Sequence, residues 1–323
     1  MFTDQLAPFL DPAAGPVRHD VMHDGHAIPL QFRHGGTQAR TLFVTFHGAV
    51  DRNTREVPSF LGFFADLKDK AHQLNVSDPS MLVEGTFGMS WYAGHAGFET
   101  QKILPALFRD LAAALAVERV VFLGSSGGGF AALFYGWHHP GSVVLAANPQ
   151  TDLTRYFARL VESYRDTCWP ALADNAALQD VVTTDVGGLY ARSVPSTVIY
   201  LQSALDRFHL YNHMAPFFAG LPFRKDDPMM TLHADYFGAS GHAMSIETLL
   251  PWIRAILLAP GTDLQGILDT RSRLAEAAAM ATRGPSLMQK LTGKAPRKAD
   301  GAAAADPRIP MADMLRDIAL KGD

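Results

Sequence analysis

Hydrophobic residues occur along this chain in short runs separated by longer segments in which they recur every three or four positions. The short runs are rich in β-branched and aromatic residues, which predicts strands. These predicted strands cover residues 17–23, 27–33, 41–46, 81–83, 142–147, 197–202 and 229–234, with another directly before the glycines at 124–129. Helical spacing predicts helices over 98–116, near 211–219 and over 245–258. This alternation predicts an α/β fold with a mostly parallel central sheet flanked by helices.

The same pattern divides the chain into a core, an insertion and an extension. Residues 151–192 turn helical between two predicted strands, which favours a helical cap over the site. We therefore expect one domain over 1–260, followed by a C-terminal helical extension over 261–323. Within the extension, residues 283–307 are rich in Ala, Gly, Pro and Lys and are typical of a flexible linker. A final amphipathic helix near 310–318 either packs on its own domain or docks on a second subunit or another partner.

One apolar run breaks into glycines around a serine. Residues 120–130 read V-V-F-L-G-S-S-G-G-G-F, which contains the pattern G-x-S-x-G at Gly124, Ser126 and Gly128. Such a strand, sharp turn and helix projects a serine from a strained backbone whose neighbours must lack a Cβ. Ser126 is therefore the candidate nucleophile, since Ser125 fits the spacing less well.

A nucleotide-binding loop is the rival interpretation of these glycines. The pattern G-x-G-x-x-G fails when counted from Gly124, but a looser form that ends in alanine fits from Gly127 to Ala132. Asp152 lies about where the ribose-binding acid would then be. The segment lacks the lysine of a phosphate loop, and the residues that could assist a serine favour a hydrolase.

A serine nucleophile needs a histidine base, and His242 is in the expected place. It lies in F-G-A-S-G-H-A-M-S, a small-residue loop between the last predicted strand of the core and the last core helix. The chain has 13 histidines, so the choice of His242 rests on its position between the last strand and the last helix of the core and not on its residue type. The remaining candidates are His47, His209, His213 and His233.

The acid that orients the base should lie between the serine and the histidine in the chain. Asp206 ends the run V-I-Y-L-Q-S-A-L-D just past the predicted strand 197–202. Asp152 is the second candidate, and Asp235 fits less well because it ends the strand leading to His242. For any of these aspartates, the alternative role is a helix cap or a solvated turn.

The sequence also offers donors for an oxyanion and side chains for substrate. One backbone N–H should come from Gly127, and another from Gly48 or Ala49 in the loop F-H-G-A-V-D-R. His47 and Arg52, in or beside this loop, are candidate substrate-binding residues, although Arg52 could simply pair with the neighbouring aspartate. Two aromatic residues in M-S-W-Y-A-G-H could form a wall for an acyl chain or a sugar, or pack in the core. They are Trp91 and Tyr92.

Composition argues against several other classes of protein. The 323 residues are 48% hydrophobic, enough for a large core, and the net charge of −4 gives no basic surface for nucleic acid. Cys168 is the single cysteine, so we expect no internal disulfide and no metal cluster. Residues 1–12 do not resemble a secretory signal, and no stretch approaches about 20 uninterrupted apolar residues. We therefore expect a cytoplasmic location without a membrane span.

Taken together, the strand ending H-G-A, the turn G-S-S-G-G, Asp206 and His242 resemble the α/β-hydrolase superfamily over about residues 41–259. The resemblance implies a serine esterase, thioesterase, lipase, peptidase or acyltransferase that uses no cofactor. The segments N-P-Q-T-D and G-A-S-G-H-A-M are also similar to hydrolase-like proteins of bacterial surface-glycan biosynthesis. We expect a serine hydrolase that cleaves a small-molecule or glycan ester. An O-acyltransferase acting on a glycan hydroxyl and a non-catalytic binding module are the alternatives.

Overall fold

The computed structural model describes residues 1–85, 87–222, 229–238 and 241–282. Its central element is one eight-stranded β-sheet. Within these residues the strand order is β1-β2-β4-β3-β5-β6-β7-β8. The strands are β1 Val17–His23, β2 His26–Arg33, β3 Thr41–Phe46, β4 His72–Val76, β5 Arg119–Ser125, β6 Val143–Ala147, β7 Thr197–Ser203 and β8 Met230–Asp235. β1 and β2 run antiparallel to their neighbours, and β4, β3 and β5 to β8 are parallel. The predicted α/β class with a mostly parallel sheet is confirmed.

Helices connect the strands and cover both faces of the sheet. They are α1 Thr100–Ala114, α2 Gly127–Trp137, α3 Ala158–Cys168, α4 Gly187–Arg192, α5 Arg207–His209, α6 Ala215–Gly220, α7 Ile246–Leu258 and α8 Leu264–Thr282. A π-helical turn over Leu210–Met214 joins α5 to α6. None of the helices in the described residues combines the length and the apolar character needed to span a membrane.

Side chains of the parallel strands alternate between two apolar cores. One core includes Phe43, Val121, Leu145 and Ile199, and the other includes Val44, Phe122, Val144 and Val198. α7 and α8 complete the first core, whereas α1, α2 and the insertion complete the second. Because both faces of the sheet are buried, polar side chains that act on a substrate must lie beyond the strand ends.

The fourth strand lies elsewhere than the sequence predicts. Residues 81–83, predicted as a strand, belong to a 3₁₀ turn and its end, and β4 is His72–Val76 instead. Its sequence H-Q-L-N-V is polar at alternate positions, yet all five residues are buried. The Gln73 side chain accepts a hydrogen bond from the Phe64 N–H at 2.8 Å and donates one to the Phe64 carbonyl at 3.2 Å. This pairing offsets the cost of burying the amide.

The insertion between β6 and β7 is helical, as expected. It contains α3 and α4 together with two 3₁₀ turns, Leu153–Arg155 and Ala176–Asp180. α8 forms the start of the predicted C-terminal extension and packs on α7 through Leu264 and Ile267. The predicted linker over 283–307 and the final helix near 310–318 lie outside the described residues.

Candidate active site

Ser126 occupies the sharp turn between β5 and α2. Its φ of 57° and ψ of −122° lie in a region that a non-glycine residue adopts only when its surroundings enforce it. A Cβ on Gly124 would collide with the Gly128 carbonyl, and a Cβ on Gly128 would lie 2.7 Å from the His47 carbonyl oxygen. The two glycines are therefore required by close backbone contacts, as the sequence pattern predicts.

A glutamine that the sequence analysis did not select contacts the serine hydroxyl. Gln150 Nε2 donates to Ser126 Oγ at 3.0 Å, and Gln150 Oε1 accepts a short hydrogen bond from the Trp91 indole. Gln150 is 0% exposed and lies in the segment N-P-Q-T-D after β6. Asp152, two residues later, is a candidate from the sequence because it is titratable, whereas the amide of Gln150 belongs to no sequence motif.

Asp206 and His242 form a hydrogen-bonded pair 36 residues apart. His242 Nδ1 lies 2.6 Å from Asp206 Oδ2. Asp206 is 6% exposed, and its side chain also caps α5 by accepting the His209 N–H. The helix-cap role considered for Asp206 is therefore real and coexists with the contact to His242.

Hydrogen bonds keep the Asp206 carboxyl ionised. Burial alone would raise its pKa, but hydrogen bonds from His209 and His242 outweigh burial and hold the pKa well below its usual range. The resulting carboxylate favours the His242 tautomer with a proton on Nδ1, which leaves Nε2 available as a base.

Asn148 links the loops that carry the serine and the histidine. Its Nδ2 donates to the His242 carbonyl at 2.7 Å, and its Oδ1 accepts the Ser203 N–H at 2.6 Å. The preceding residue, Ala147, accepts the Ser126 N–H at 3.1 Å. In the described part of the chain, no hydrogen bond joins the side chains of Ser126 and His242. The Ser126 hydroxyl proton remains uncommitted, since Oγ is the acceptor in its bond with Gln150.

The loop after β3 lies against the serine. A Cβ built on Gly48 would be 3.6 Å from Ser126 Cβ. Within the described residues, the backbone N–H groups of Gly48, Ala49 and Gly127 donate no hydrogen bond. Free donors beside a nucleophile are what an oxyanion site requires.

His47, a candidate for substrate binding, is buried and holds this loop. It is 5% exposed, its Nδ1 lies 2.7 Å from the Gly48 carbonyl oxygen and its Nε2 accepts the Asp78 N–H at 3.1 Å. Burial lowers its pKa, which keeps the ring neutral and able to accept. These contacts fix the direction of the Gly48 peptide.

The other candidate substrate-binding residues lie in or near the core. Trp91 and Tyr92 are each 1% exposed, and the Tyr92 hydroxyl bridges the His47 N–H and the Val76 carbonyl. The half-buried Arg52 donates to the Met81 carbonyl at 3.3 Å. Both aromatic residues are therefore packed in the core, which is the alternative that the sequence allows. From this buried side, Tyr92 supports the loop after β3 and Trp91 supports the loop after β6.

The alternative acids have other partners. Asp152 caps the turn at Thr154 and forms an ion pair with Arg155 at 3.3 Å. Asp235 accepts the Tyr236 N–H at 2.7 Å. Among the three candidate acids, Asp206 is therefore the one in contact with His242.

A second histidine lies on Asp206 and stacks on His242. His209 Nδ1 is 3.0 Å from Asp206 Oδ1, and the His209 and His242 ring centroids are 4.3 Å apart at 24°. Ligand atoms of these three residues lie within 4.8 Å of one another, close enough for a metal ion. Both Nδ1 atoms, however, already point at the carboxylate, so hydrogen bonding alone accounts for the arrangement.

His213, another rival base, is buried next to His209 and should make stability depend on pH. It is 0% exposed, and its Nδ1 accepts the Thr151 N–H at 3.3 Å. Burial, reinforced by His209, lowers the pKa of His213 from 6.5 to about 3. At pH values between these two pKa values, His213 binds a proton in the unfolded chain but stays neutral in the folded chain. The free energy of unfolding therefore falls as pH is lowered through this range.

The loss should approach about 1.4 kcal/mol per pH unit for this one proton. His213→Gln keeps an acceptor for the Thr151 N–H and removes the titration. Urea unfolding of both proteins at pH 7, 6 and 5 should therefore give the variant a shallower decline in stability. Parallel declines would contradict the assignment of this proton to His213.

Solved structures of known proteins share this architecture. The Pyrococcus horikoshii acylaminoacyl peptidase matches with a TM-score of 0.52 and 13% identity, over 83% of this chain and 46% of that chain. A puromycin hydrolase variant matches at 0.51 and 15% identity, over 81% of this chain and 40% of that chain. A capsule O-acetyltransferase of Neisseria meningitidis serogroup A, solved with CoA, matches at 0.50 and 13% identity, over 84% of this chain and 98% of that chain. No family model and no curated protein matches.

These matches identify the fold as that of the α/β hydrolases, in agreement with the resemblance noted in the sequence. The chain spans less than half the length of the peptidase and of the puromycin hydrolase, and nearly the full length of the O-acetyltransferase. Sequence identities this low show that the fold is shared, and they do not show which reaction the site performs.

Proposed function

We propose that this chain, which has the α/β-hydrolase fold, is a serine hydrolase that cleaves a carboxylic ester through an acyl-serine intermediate. The observation that carries the proposal is the Asp206–His242 hydrogen bond of 2.6 Å. The loop that contains His242 is held by Asn148, which follows β6, the strand next to β5 and Ser126. A serine after β5, a carboxylate after β7 and an imidazole after β8, all at the carboxyl-end edge of the parallel strands, are the groups that nucleophilic acyl transfer needs.

In the proposed reaction, His242 Nε2 takes the hydroxyl proton of Ser126 as Oγ attacks the acyl carbonyl carbon. Asp206 stabilises the imidazolium through Nδ1, and the N–H groups of Gly127 and of Gly48 or Ala49 stabilise the oxyanion. His242 then returns the proton to the departing alcohol. A water molecule, activated by the same imidazole, releases the acid and regenerates Ser126.

An O-acyltransferase is the second candidate. Support comes from the similarity in length and fold to the capsule O-acetyltransferase, whose structure was solved with CoA. In this version a glycan hydroxyl replaces water in the second step, and a CoA thioester or an ester donates the acyl group. Both candidates share the first half-reaction, formation of the acyl-serine. They differ in whether water or a glycan hydroxyl reaches the acyl-enzyme in the second.

Reaction with p-nitrophenyl acetate tests the shared step. We expect release of p-nitrophenol and, after rapid acid quenching, an acetyl group on the peptide that contains Ser126. Repeating the reaction with oligosaccharide acceptors separates the candidates, because transfer yields acetylated sugar and hydrolysis yields acetate. A protein that releases no nitrophenol and is not labelled by a fluorophosphonate would instead be a binding module.

A further inference from the structure

The amide of Gln150 has a single possible orientation. An indole N–H can only donate a hydrogen bond, so the Trp91 indole must meet the oxygen of the amide and not its nitrogen. The Gln150 Nε2 group consequently faces Ser126 Oγ, at 3.0 Å. Trp91 thus determines which end of the amide the serine meets.

The surroundings keep this arrangement in place. Trp91 and Gln150 are 1% and 0% exposed, and the Trp91 ring packs edge-on against Tyr164 with centroids 5.6 Å apart. The Gln150 backbone N–H also donates to the Ser126 carbonyl at 3.1 Å. Gln150 therefore approaches the serine through both its main chain and its side chain, which leaves little freedom for the amide to turn away.

We propose that Gln150 is a catalytic residue that stabilises negative charge on Ser126 Oγ, and that Trp91 is the positioning residue that fixes its donor. The inference rests on the proposed function of Ser126 as the nucleophile. It adds a donor on the attacking oxygen to the backbone donors expected on the carbonyl oxygen.

The donor acts during attack and gives up no proton. The Ser126 hydroxyl proton passes to His242 Nε2, the Oγ–C bond forms, and the carbonyl π electrons move onto the carbonyl oxygen. While the proton is leaving and the new bond is incomplete, Oγ carries partial negative charge. A hydrogen bond to a charged acceptor is about twice as strong as one to a neutral acceptor, so the Gln150 contact stabilises this stage more than the resting enzyme.

Gln150→Met tests the donor, because methionine has a similar length and cannot donate. We expect kcat for p-nitrophenyl acetate to fall about 10-fold, the difference between a hydrogen bond to a charged acceptor and one to the neutral hydroxyl, with KM nearly unchanged. Trp91→Phe keeps an aromatic ring but frees the amide to turn, so it should produce a smaller loss of kcat.

The double variant separates a catalytic donor from a packing defect. If Trp91 acts through Gln150, the double variant should be no slower than Gln150→Met alone, whereas independent packing defects would multiply. Thermal unfolding of each variant identifies any that fails to fold, and Trp91→Phe then serves as the remaining test.

The inference and the proposed function can fail separately. A wild-type protein whose Ser126 is not labelled by a fluorophosphonate overturns both. Labelled wild type together with folded variants whose kcat is unchanged, or whose losses multiply, overturns the role of Gln150 and leaves Ser126 as the nucleophile.

Discussion

Replacing Ser126 with alanine should reduce ester turnover about ten-thousand-fold or more, because no other group is expected to form the acyl intermediate. The loss should be in kcat, since binding of the ester depends mainly on surfaces that the substitution leaves intact. Steady-state kinetics with p-nitrophenyl acetate and labelling by a fluorophosphonate measure it directly. Alanine fits the turn as well as serine does, so the variant should fold, with an unfolding temperature lowered only by the loss of the hydrogen bond from the buried Gln150 Nε2.

Ser125→Ala is the matched control. Ser125 is the last residue of β5, directly beside the nucleophile in the sequence, but it is not at the centre of the G-x-S-x-G pattern. Its substitution should leave turnover within a few-fold of wild type. Loss of activity in the Ser125 variant, with activity retained in the Ser126 variant, would move the nucleophile by one residue.

Asp206→Asn should lower kcat by a similar amount, about ten-thousand-fold. The carboxylate accepts hydrogen bonds from the Nδ1 atoms of both His209 and His242. An asparagine has one acceptor oxygen for two ring donors, and its NH₂ would face the other ring. His242 would then favour a proton on Nε2, which removes the lone pair needed to take the Ser126 proton.

Asp152→Asn provides the comparison, because Asp152 was the competing acid and has a separate role as the cap of the turn at Thr154. An asparagine can also cap a helical turn, so both stability and kcat should stay close to wild type. The pH dependence of kcat/KM for each variant completes the measurement. A large loss for Asp152→Asn and a small one for Asp206→Asn would reverse the assignment of the acid.

The sequence predicts the framework of this protein well because apolar periodicity and strand-end motifs reflect strong constraints. The glycines around Ser126 are forced by backbone contacts, and the place of His242 follows from the order of strands and helices. β4 is not predicted from the sequence because its polar Gln73 is buried. Hydrogen bonds with the main chain at Phe64 make this burial possible, and no local sequence pattern reveals them.

Residues that act through others are the hardest to find. Gln150 has no titratable group, and its importance depends on meeting Trp91, 59 positions earlier in the chain. The sequence predicts His209 only as an alternative base, whereas in the structure it shares the Asp206 carboxylate with His242. Its side chain is buried, and burial lowers its pKa, so a neutral ring lies against His242.

The apolar packing on both faces of the sheet limits how this protein could acquire a new specificity. Substitutions on β3 or β5 to β8 disturb one core or the other, and so do substitutions at the buried positions of the segment 151–192, whereas exposed positions of that segment and of the loops at the strand ends can vary without unpacking the sheet. Directed evolution toward another acyl group or another acceptor should therefore concentrate its library on those loops and leave the interior strands constant.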